Sequence, residues 1–446
     1  MPARSLPQLV RHGEYERAWL RPDIIAGVTV AAMLVPQAMA YAELGGLPPA
    51  AGFRAAIVAL PVYAILGTSR HLGVGPEPGT AILAAAAAAQ FAGGDPDRYA
   101  ALMAAIALLV GAIAIVAWAF RLGFVAELLS KPVLVGYITG VGLTLLTSQL
   151  EPFTGVEIDA DNPFARVWQF VTHLDEIDGA TLAVGLATLA IILVLRRVAP
   201  TLPGALIGLA VAMLAIALFD TDLETVGDIE AALPSLAIPD IGWGDLTDVL
   251  PTAAGVALIG YTDNILTARS ISSRLGYRVD ADRELLALGA MNAAGSVAGG
   301  FPVSSSASRS FVPATIGSRS QFSSIVTLVA VVLFLWFGRS LLAEIPRAGL
   351  AAVIVAAAFA VIDVEGFRRI AKLSKAETAL AAVTCLAVIA VDLLTGVLVA
   401  VALSILLMLA RAARPHDAIL GAAAGLDGWI DIDDARAEPI PGLLVY

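Results

Sequence analysis

Two short stretches of this chain are badly suited to a lipid bilayer, yet the apolar sequence around them puts them inside one. One is Gly75-Pro76-Glu77-Pro78-Gly79-Thr80; the other is Gly299-Gly300-Phe301-Pro302-Val303-Ser304-Ser305-Ser306-Ala307-Ser308-Arg309. Each ends the apolar helix before it with Pro and Gly and leads directly into a short apolar helix. In lipid, non-helical backbone persists only where protein or a water-filled cavity satisfies its N–H and C=O groups. Interrupted segments at corresponding positions of two halves are a sequence pointer to a binding site near the membrane midplane.

Composition sets the class. The chain has 446 residues, of which 59% are hydrophobic and 15% charged, with a mean hydropathy of +0.85. A soluble domain carries roughly 25% charged residues. Fourteen spans can be read, at about 24–41, 55–67, 79–91, 100–120, 124–146, 180–195, 202–219, 250–268, 285–297, 306–316, 322–337, 347–362, 378–391 and 395–410. Several fall below the ~20 residues that cross a bilayer. The third and tenth, which follow the Pro/Gly breaks, are among the shortest. The first apolar run starts after a polar, Arg-containing segment, so no cleavable signal peptide is expected.

Arg and Lys in short loops set orientation. The N-terminal segment holds Arg4, Arg11, Arg17 and Arg21, and every second turn is basic, from Arg70 and Arg121 through Arg196 and Arg197 to Arg368, Arg369, Lys372 and Lys375. The opposite loops, 151–161 and 220–230 among them, are acidic. Lys131 and Arg339 sit on the minority side. The expectation is a multi-pass protein of the inner (plasma) membrane with both termini cytoplasmic. The net charge of −11 comes from the acidic outer loops. No basic patch interleaves with aromatics, so nucleic acid is set aside as a partner. The single cysteine, Cys385, lies mid-span and allows no internal disulfide. The four histidines are scattered through tails and loops without metal-ligand spacing, so neither a metal nor a cofactor is expected. The serine cluster has no Gly-x-Ser-x-Gly elbow and no nearby histidine base, which argues against an enzyme.

The halves repeat. Ala26-Gly27-Val28 in span one matches Ala254-Gly255-Val256 in span eight; Gly27 to Pro76 is 49 positions and Gly255 to Pro302 is 47. Seven spans separate the two starts, and an odd number makes the second half enter from the opposite side.

The run Asp23-Ile24-Ile25-Ala26-Gly27-Val28-Thr29-Val30-Ala31-Ala32-Met33-Leu34-Val35-Pro36-Gln37-Ala38-Met39-Ala40-Tyr41-Ala42 resembles the first-span signature of the SulP anion transporters, solute carrier family 26. Val74-Gly75-Pro76-Glu77 with Thr80 is similar to the start of that family's third span, and Gly299-Gly300-Phe301-Pro302 with Ser306, Ser308, Arg309 and Ser310 to the start of its tenth. Gly260-Tyr261-Thr262-Asp263 stands where the family usually has Gly-Phe-x-Glu. Three positions depart from the pattern: Gly52-Phe53-Arg54 for Gly-Leu-Tyr, Asp263 for Glu, and Ala307 for a common Phe. The last two touch the site. The resemblance runs from about Asp23 to Ala410.

It implies an all-α integral membrane protein with fourteen transmembrane segments in a seven-plus-seven inverted repeat. Spans one to four and eight to eleven would form a core (transport) domain, and spans five to seven and twelve to fourteen a gate (scaffold) domain. Residues 1–22 read as a cytoplasmic N-terminal segment. Residues 23–411 read as the transmembrane domain, with repeats at about 23–220 and 249–411. Residues 412–446 read as a cytoplasmic lead-in, ending near the first strand of a STAS domain. A homodimer is compatible with the resemblance and is left open.

The chemistry centres on the two half-helix starts near Thr80 and Ser306. Free N–H groups and about half a positive charge at each make an anion site without lysine. Candidate substrate contacts are Gln37 and Tyr41, which follow Pro36 as a break in span one, together with Gly79, Thr80, Ser306, Ala307, Ser308 and Arg309. The serines have a bland alternative as ordinary loop hydrogen-bonders. Arg309 has one as a structural cation paired with a core carboxylate; an Arg at the bilayer centre costs roughly 3 kcal/mol on insertion scales. Asp263 and Glu77 are the proton-coupling candidates, although Glu77 fits equally well as a first-turn acid that favours the helix dipole. The reading is a secondary active transporter of small anions that moves core against gate. Symport of protons with a C4-dicarboxylate such as fumarate comes first. Sulfate or bicarbonate transport, or channel-like anion conduction on the same fold, stand as alternatives. The partners are then a small anion, protons and the lipid bilayer.

Overall fold

The computed structural model describes residues 15–124, 131–160, 162–199, 202–219, 223–227, 233–234, 239, 241–390, 399, 402–403, 406, 420–422 and 429–431. The first half opens with α1 (Arg17–Leu44) and α2 (Pro49–Leu66), turns through strand β1 (Val74–Gly75) into α3 (Pro78–Ala92), and returns as α4 (Pro96–Ala119). It continues with α5 (Lys131–Ser148), α6 (Leu150–Thr154), α7 (Pro163–Thr172), α8 (Gly179–Val198) and α9 (Gly204–Phe219). The second half repeats the order: α10 (Trp243–Leu275), α11 (Ala281–Val297), β2 (Ser304–Ser305), α12 (Ala307–Ile316) and α13 (Phe322–Phe337), then α14 (Arg339–Ala343), α15 (Arg347–Val361), α16 (Val364–Leu373) and α17 (Lys375–Ala390). Thirteen expected spans coincide with described helices; the fourteenth, at 395–410, falls almost wholly outside the described residues.

Local chemistry sets the boundaries. Asp95, Asp178 and Asp280 accept backbone N–H bonds at the starts of α4, α8 and α11, which satisfies donors that a helix leaves open. Proline near the first position of α2, α3 and α4 removes one such donor. One expectation needs correcting: α1 is not broken at Pro36 but runs through it as one helix. An interior proline removes only one bond of the ladder, and the packed neighbours of a membrane helix make good the loss. Gln37 and Tyr41 are therefore four residues apart on one face of a continuous helix.

α4 packs on α11 and α10, α2 on α11 and α1 on α13, which gathers the core domain. α5 packs on α17, and α8 on α9 and α15, which gathers the gate domain. Small residues bring these helices into backbone contact, as membrane helix packing demands. A Cβ added at Gly52 of α2 would lie 1.9 Å from the Ala38 carbonyl oxygen of α1, and one at Gly136 of α5 would lie 2.2 Å from the Ala381 carbonyl oxygen of α17. Overpacking a core costs about 1–3 kcal/mol when side chains can shift; at Gly52 the obstacle is backbone. Gly52→Val is expected to prevent recovery of folded protein or to lower its melting temperature in detergent by more than ten degrees. A melting temperature within two degrees of the parent would contradict this packing.

Two buried carboxylates tie loops together. Asp23 accepts from Ser318 Oγ (2.8 Å), the Arg319 backbone N–H (2.8 Å), Ser320 Oγ (2.6 Å) and Tyr15 Oη (3.1 Å). Glu284 accepts from Tyr63 Oη (2.9 Å) and from the N–H and hydroxyl of Thr68 (2.8 and 2.6 Å). Both are fully buried and well supplied with donors.

The stretch Ala402–Tyr446 is a separate unit. Its described part is a hairpin in which β3 (Leu420–Ala422) pairs antiparallel with β4 (Trp429–Asp431). The run from Glu438 to Tyr446, read above as the approach to a STAS strand, lies outside the described residues.

Candidate anion site at the crossing of two half-helices

β1 and β2 pair antiparallel, Val74 opposite Ser305 and Gly75 opposite Ser304. The two interrupted segments therefore cross, and each satisfies the other's backbone. The Gly73 N–H donates to Ser310 Oγ (2.8 Å) and the Ser306 N–H to the Gly73 carbonyl (2.8 Å). Asn292 of α11 clamps Val303 from both sides, donating to its carbonyl (3.0 Å) and accepting from its N–H (2.9 Å). The Thr80 hydroxyl donates to the Pro302 carbonyl (3.2 Å). Irregular backbone is thus held dry, as the bilayer requires.

The two helix starts differ. At α3, Glu77 is the N-cap residue, and its Oε2 accepts the Thr80 N–H (3.1 Å). The donors at this end already face a carboxylate. At α12, Ser306 is the N-cap but makes no side-chain capping bond; its hydroxyl pairs with Ser308 Oγ instead (3.1 Å). The first turn of α12 therefore presents uncapped N–H groups and the positive end of its dipole. Asp263 of α10 accepts from Ser305 Oγ (3.0 Å), one residue before that N-cap.

Arg309 is 0% exposed. It donates through Nη1 to Gln37 Oε1 (2.7 Å) and through Nη2 to the Pro76 carbonyl (2.8 Å), while its Nε has no partner among the described residues. The expected alternative, a cation bonded to a core carboxylate, is not what forms: both acceptors are neutral. The guanidinium joins α12 to α1 and to the α3 approach, and among the described residues its charge has no hydrogen-bonded counter-ion.

A cavity of about 830 Å³ lies against this crossing. Of the residues singled out in the sequence, Gln37, Tyr41, Glu77, Gly79, Asp263, Ser306, Ala307 and Ser308 line it. Thr80 and Arg309 stand behind the wall and shape it through the bonds just given. The core supplies the polar wall. Facing it are apolar residues that sequence reasoning did not find: Leu134, Ile138 and Val141 of α5 and Val353, Ala356 and Ala357 of α15. Aliphatic residues in a span carry no mark of the side they face. Tyr137, also on this wall, was not singled out either, since it shares its helix with the hydroxyls of Thr139, Thr144, Thr147 and Ser148. Arg196, Leu202 and Asp363, all exposed, also line the cavity, so it opens to the surface beside α8, α9 and α15.

A midplane crossing of two discontinuous helices, below a cavity between two helical bodies, is the architecture of an inverted-repeat secondary transporter. Residues 20–384 match the family model described as the sulfate permease family. A probable sulfate transporter of Mycobacterium tuberculosis is 45% identical over 444 residues, which cover 99% of this chain and 79% of that one. Among solved structures, the murine solute carrier 26 family member A9 in its inward-facing state superposes with a TM-score of 0.84 at 23% identity, covering 98% of this chain and 76% of that one. The transmembrane domain of a cyanobacterial bicarbonate transporter gives 0.75 at 22% identity, covering 90% and 99%. The chain belongs to the sulfate permease (SulP, solute carrier 26) family of membrane anion transporters and is not an enzyme. Its fold is the family's fourteen-span, seven-plus-seven arrangement.

Proposed function

We propose that the protein is a secondary active transporter of small divalent oxyanions, driven by proton symport and working by movement of core against gate. The observation that carries this is the asymmetry of the crossing: an uncapped α12 N-terminus with Arg309 behind it, hydrogen-bonded to neutral acceptors, beside two acids, Glu77 and Asp263. With both acids ionised the three charged groups sum to −1 and repel an anion. Each proton taken up removes one negative charge, so proton and anion binding favour each other, which is coupling in the linkage sense. The cavity reaches the surface at Arg196, on the side that the Arg/Lys bias assigns to the cytoplasm. On this reading the conformation is inward-open in a plasma membrane, with both termini inside.

The sequence reading put a C4-dicarboxylate such as fumarate first. The name borne by the 45% identical relative favours sulfate, and both are compact dianions that suit one charge tally. The test is uptake of radiolabelled sulfate and fumarate into proteoliposomes with and without an inward proton gradient. Gradient-driven accumulation of at least one of the two, about tenfold over the external concentration, is expected. A conductive flux that follows voltage and ignores the proton gradient would make the protein a channel.

A further inference from the structure

Tyr137 lies on α5, in the wall that the gate domain gives to the cavity. Its side chain is 4% exposed, and its hydroxyl has no hydrogen-bond partner among the described residues. Most buried hydroxyls are paired, and one left unpaired forfeits its hydration with nothing in return. Leu134, Ile138 and Val141 on its own helix and Ala356 and Ala357 on α15 share this wall, and none carries a side-chain acceptor. Glu77 lines the same cavity from the core side. A phenol is both donor and acceptor, and as a donor it suits an oxyanion. The wall thus holds a residue with a buried donor lacking an acceptor, and it lines the same cavity in which the core presents the open end of α12.

We propose that Tyr137 is a substrate-contacting residue supplied by the gate domain, its hydroxyl donating to an oxygen of the small oxyanion held at the α3–α12 crossing. The proposal rests on the anion reading above. It adds that the anion is bonded to both bodies at once. The core provides charge and helix ends, and the gate provides one directional donor. Movement of core against gate makes or breaks that bond, so Tyr137 sets which anions are retained and in which conformation. An oxyanion with oxygens on several sides can reach both walls.

The test is Tyr137→Phe, which removes only the hydroxyl. Binding of inorganic sulfate and of fumarate is measured by calorimetry on the purified chain in detergent, alongside melting temperature without anion. The bound anion is expected to lose about tenfold in affinity, while the anion-free melting temperature stays the same or rises, because a buried unpaired hydroxyl has been removed. The same tenfold loss is expected in a Glu77→Gln background. Unchanged anion affinity in Tyr137→Phe, with binding intact in the parent, overturns the assignment of Tyr137 and leaves the anion reading standing. A fall of several degrees in the anion-free melting temperature shows a structural partner for the hydroxyl and also overturns it. Disappearance of the loss in the Glu77→Gln background shows that the hydroxyl acts through Glu77 and overturns direct contact. A parent that binds neither anion removes the anion reading itself.

Discussion

Arg309→Ala is expected to weaken sulfate or dicarboxylate binding at least a hundredfold and to bring proteoliposome uptake to background. The guanidinium is the one cation at the crossing among the described residues, and it is fully buried with two neutral acceptors. Its charge therefore acts on whatever occupies the adjoining cavity, in surroundings of low dielectric where that action is strong. Hydrogen bonds involving a charged group contribute about 1.5–3 kcal/mol, and removal also withdraws the donor that holds the Pro76 carbonyl and fixes the Gln37 amide. A hundredfold loss corresponds to roughly 2.8 kcal/mol. The protein is expected to remain folded in detergent, because β1–β2 pairing and the Asn292 clamp hold the crossing without Arg309. Arg309→Lys should recover only part of the binding, since an ammonium lacks the planar fork that reaches both acceptors. Sulfate affinity unchanged in Arg309→Ala would make the residue a strut for the loop and nothing more.

The feature most legible in the sequence was also the one that builds the site. Pro76 and Pro302 lack a ladder N–H, and each stands close after a glycine of positive φ, Gly75 and Gly299; proline and glycine together end the preceding helix where a lone proline does not, and the structure starts α3 and α12 afresh at Pro78 and Ala307. The partner of Arg309 was not legible. Gln37 is 272 positions away in the chain, and which group faces a guanidinium across an inverted repeat depends on how helices pack, which no local pattern encodes. Glu77 was left between two roles; as the N-cap residue of α3 and a lining residue of the cavity it occupies both places at once. The short helices α7 and α16 were missed because their apolar residues, exposed Trp168 and Leu373 among them, are interspersed with polar ones and form no continuous run. The break expected at Pro36 did not form, since one proline in a helix held by neighbours on every side removes a bond without ending the ladder.

Coupling to protons should be lost when Asp263 is replaced by asparagine. The carboxylate takes a hydrogen bond from Ser305, the residue just before the N-cap of α12, so it sits beside the open end where an anion gains most. An ionised acid there opposes the anion directly, whereas a protonated one does not. Asp263→Asn holds the neutral form at every pH while keeping an acceptor oxygen for Ser305. Binding of sulfate or fumarate should persist, within about threefold of the parent at acid pH, and should no longer weaken as pH rises. Accumulation driven by a proton gradient should vanish, because no proton can be released on the far side. Exchange of labelled for unlabelled substrate should continue, because that cycle never returns the carrier empty. Glu77→Gln is the matched control: glutamine keeps an oxygen for the Thr80 N–H, so the α3 cap survives while the charge is removed. Both acids line one cavity, and the two variants separate their shares. If Asp263→Asn still accumulates substrate in step with the proton gradient and Glu77→Gln does not, the coupling proton resides on Glu77, and Asp263 serves to hold Ser305 in place. If neither substitution affects gradient-driven accumulation, the proton is carried elsewhere and the charge tally at the crossing is not the coupling device.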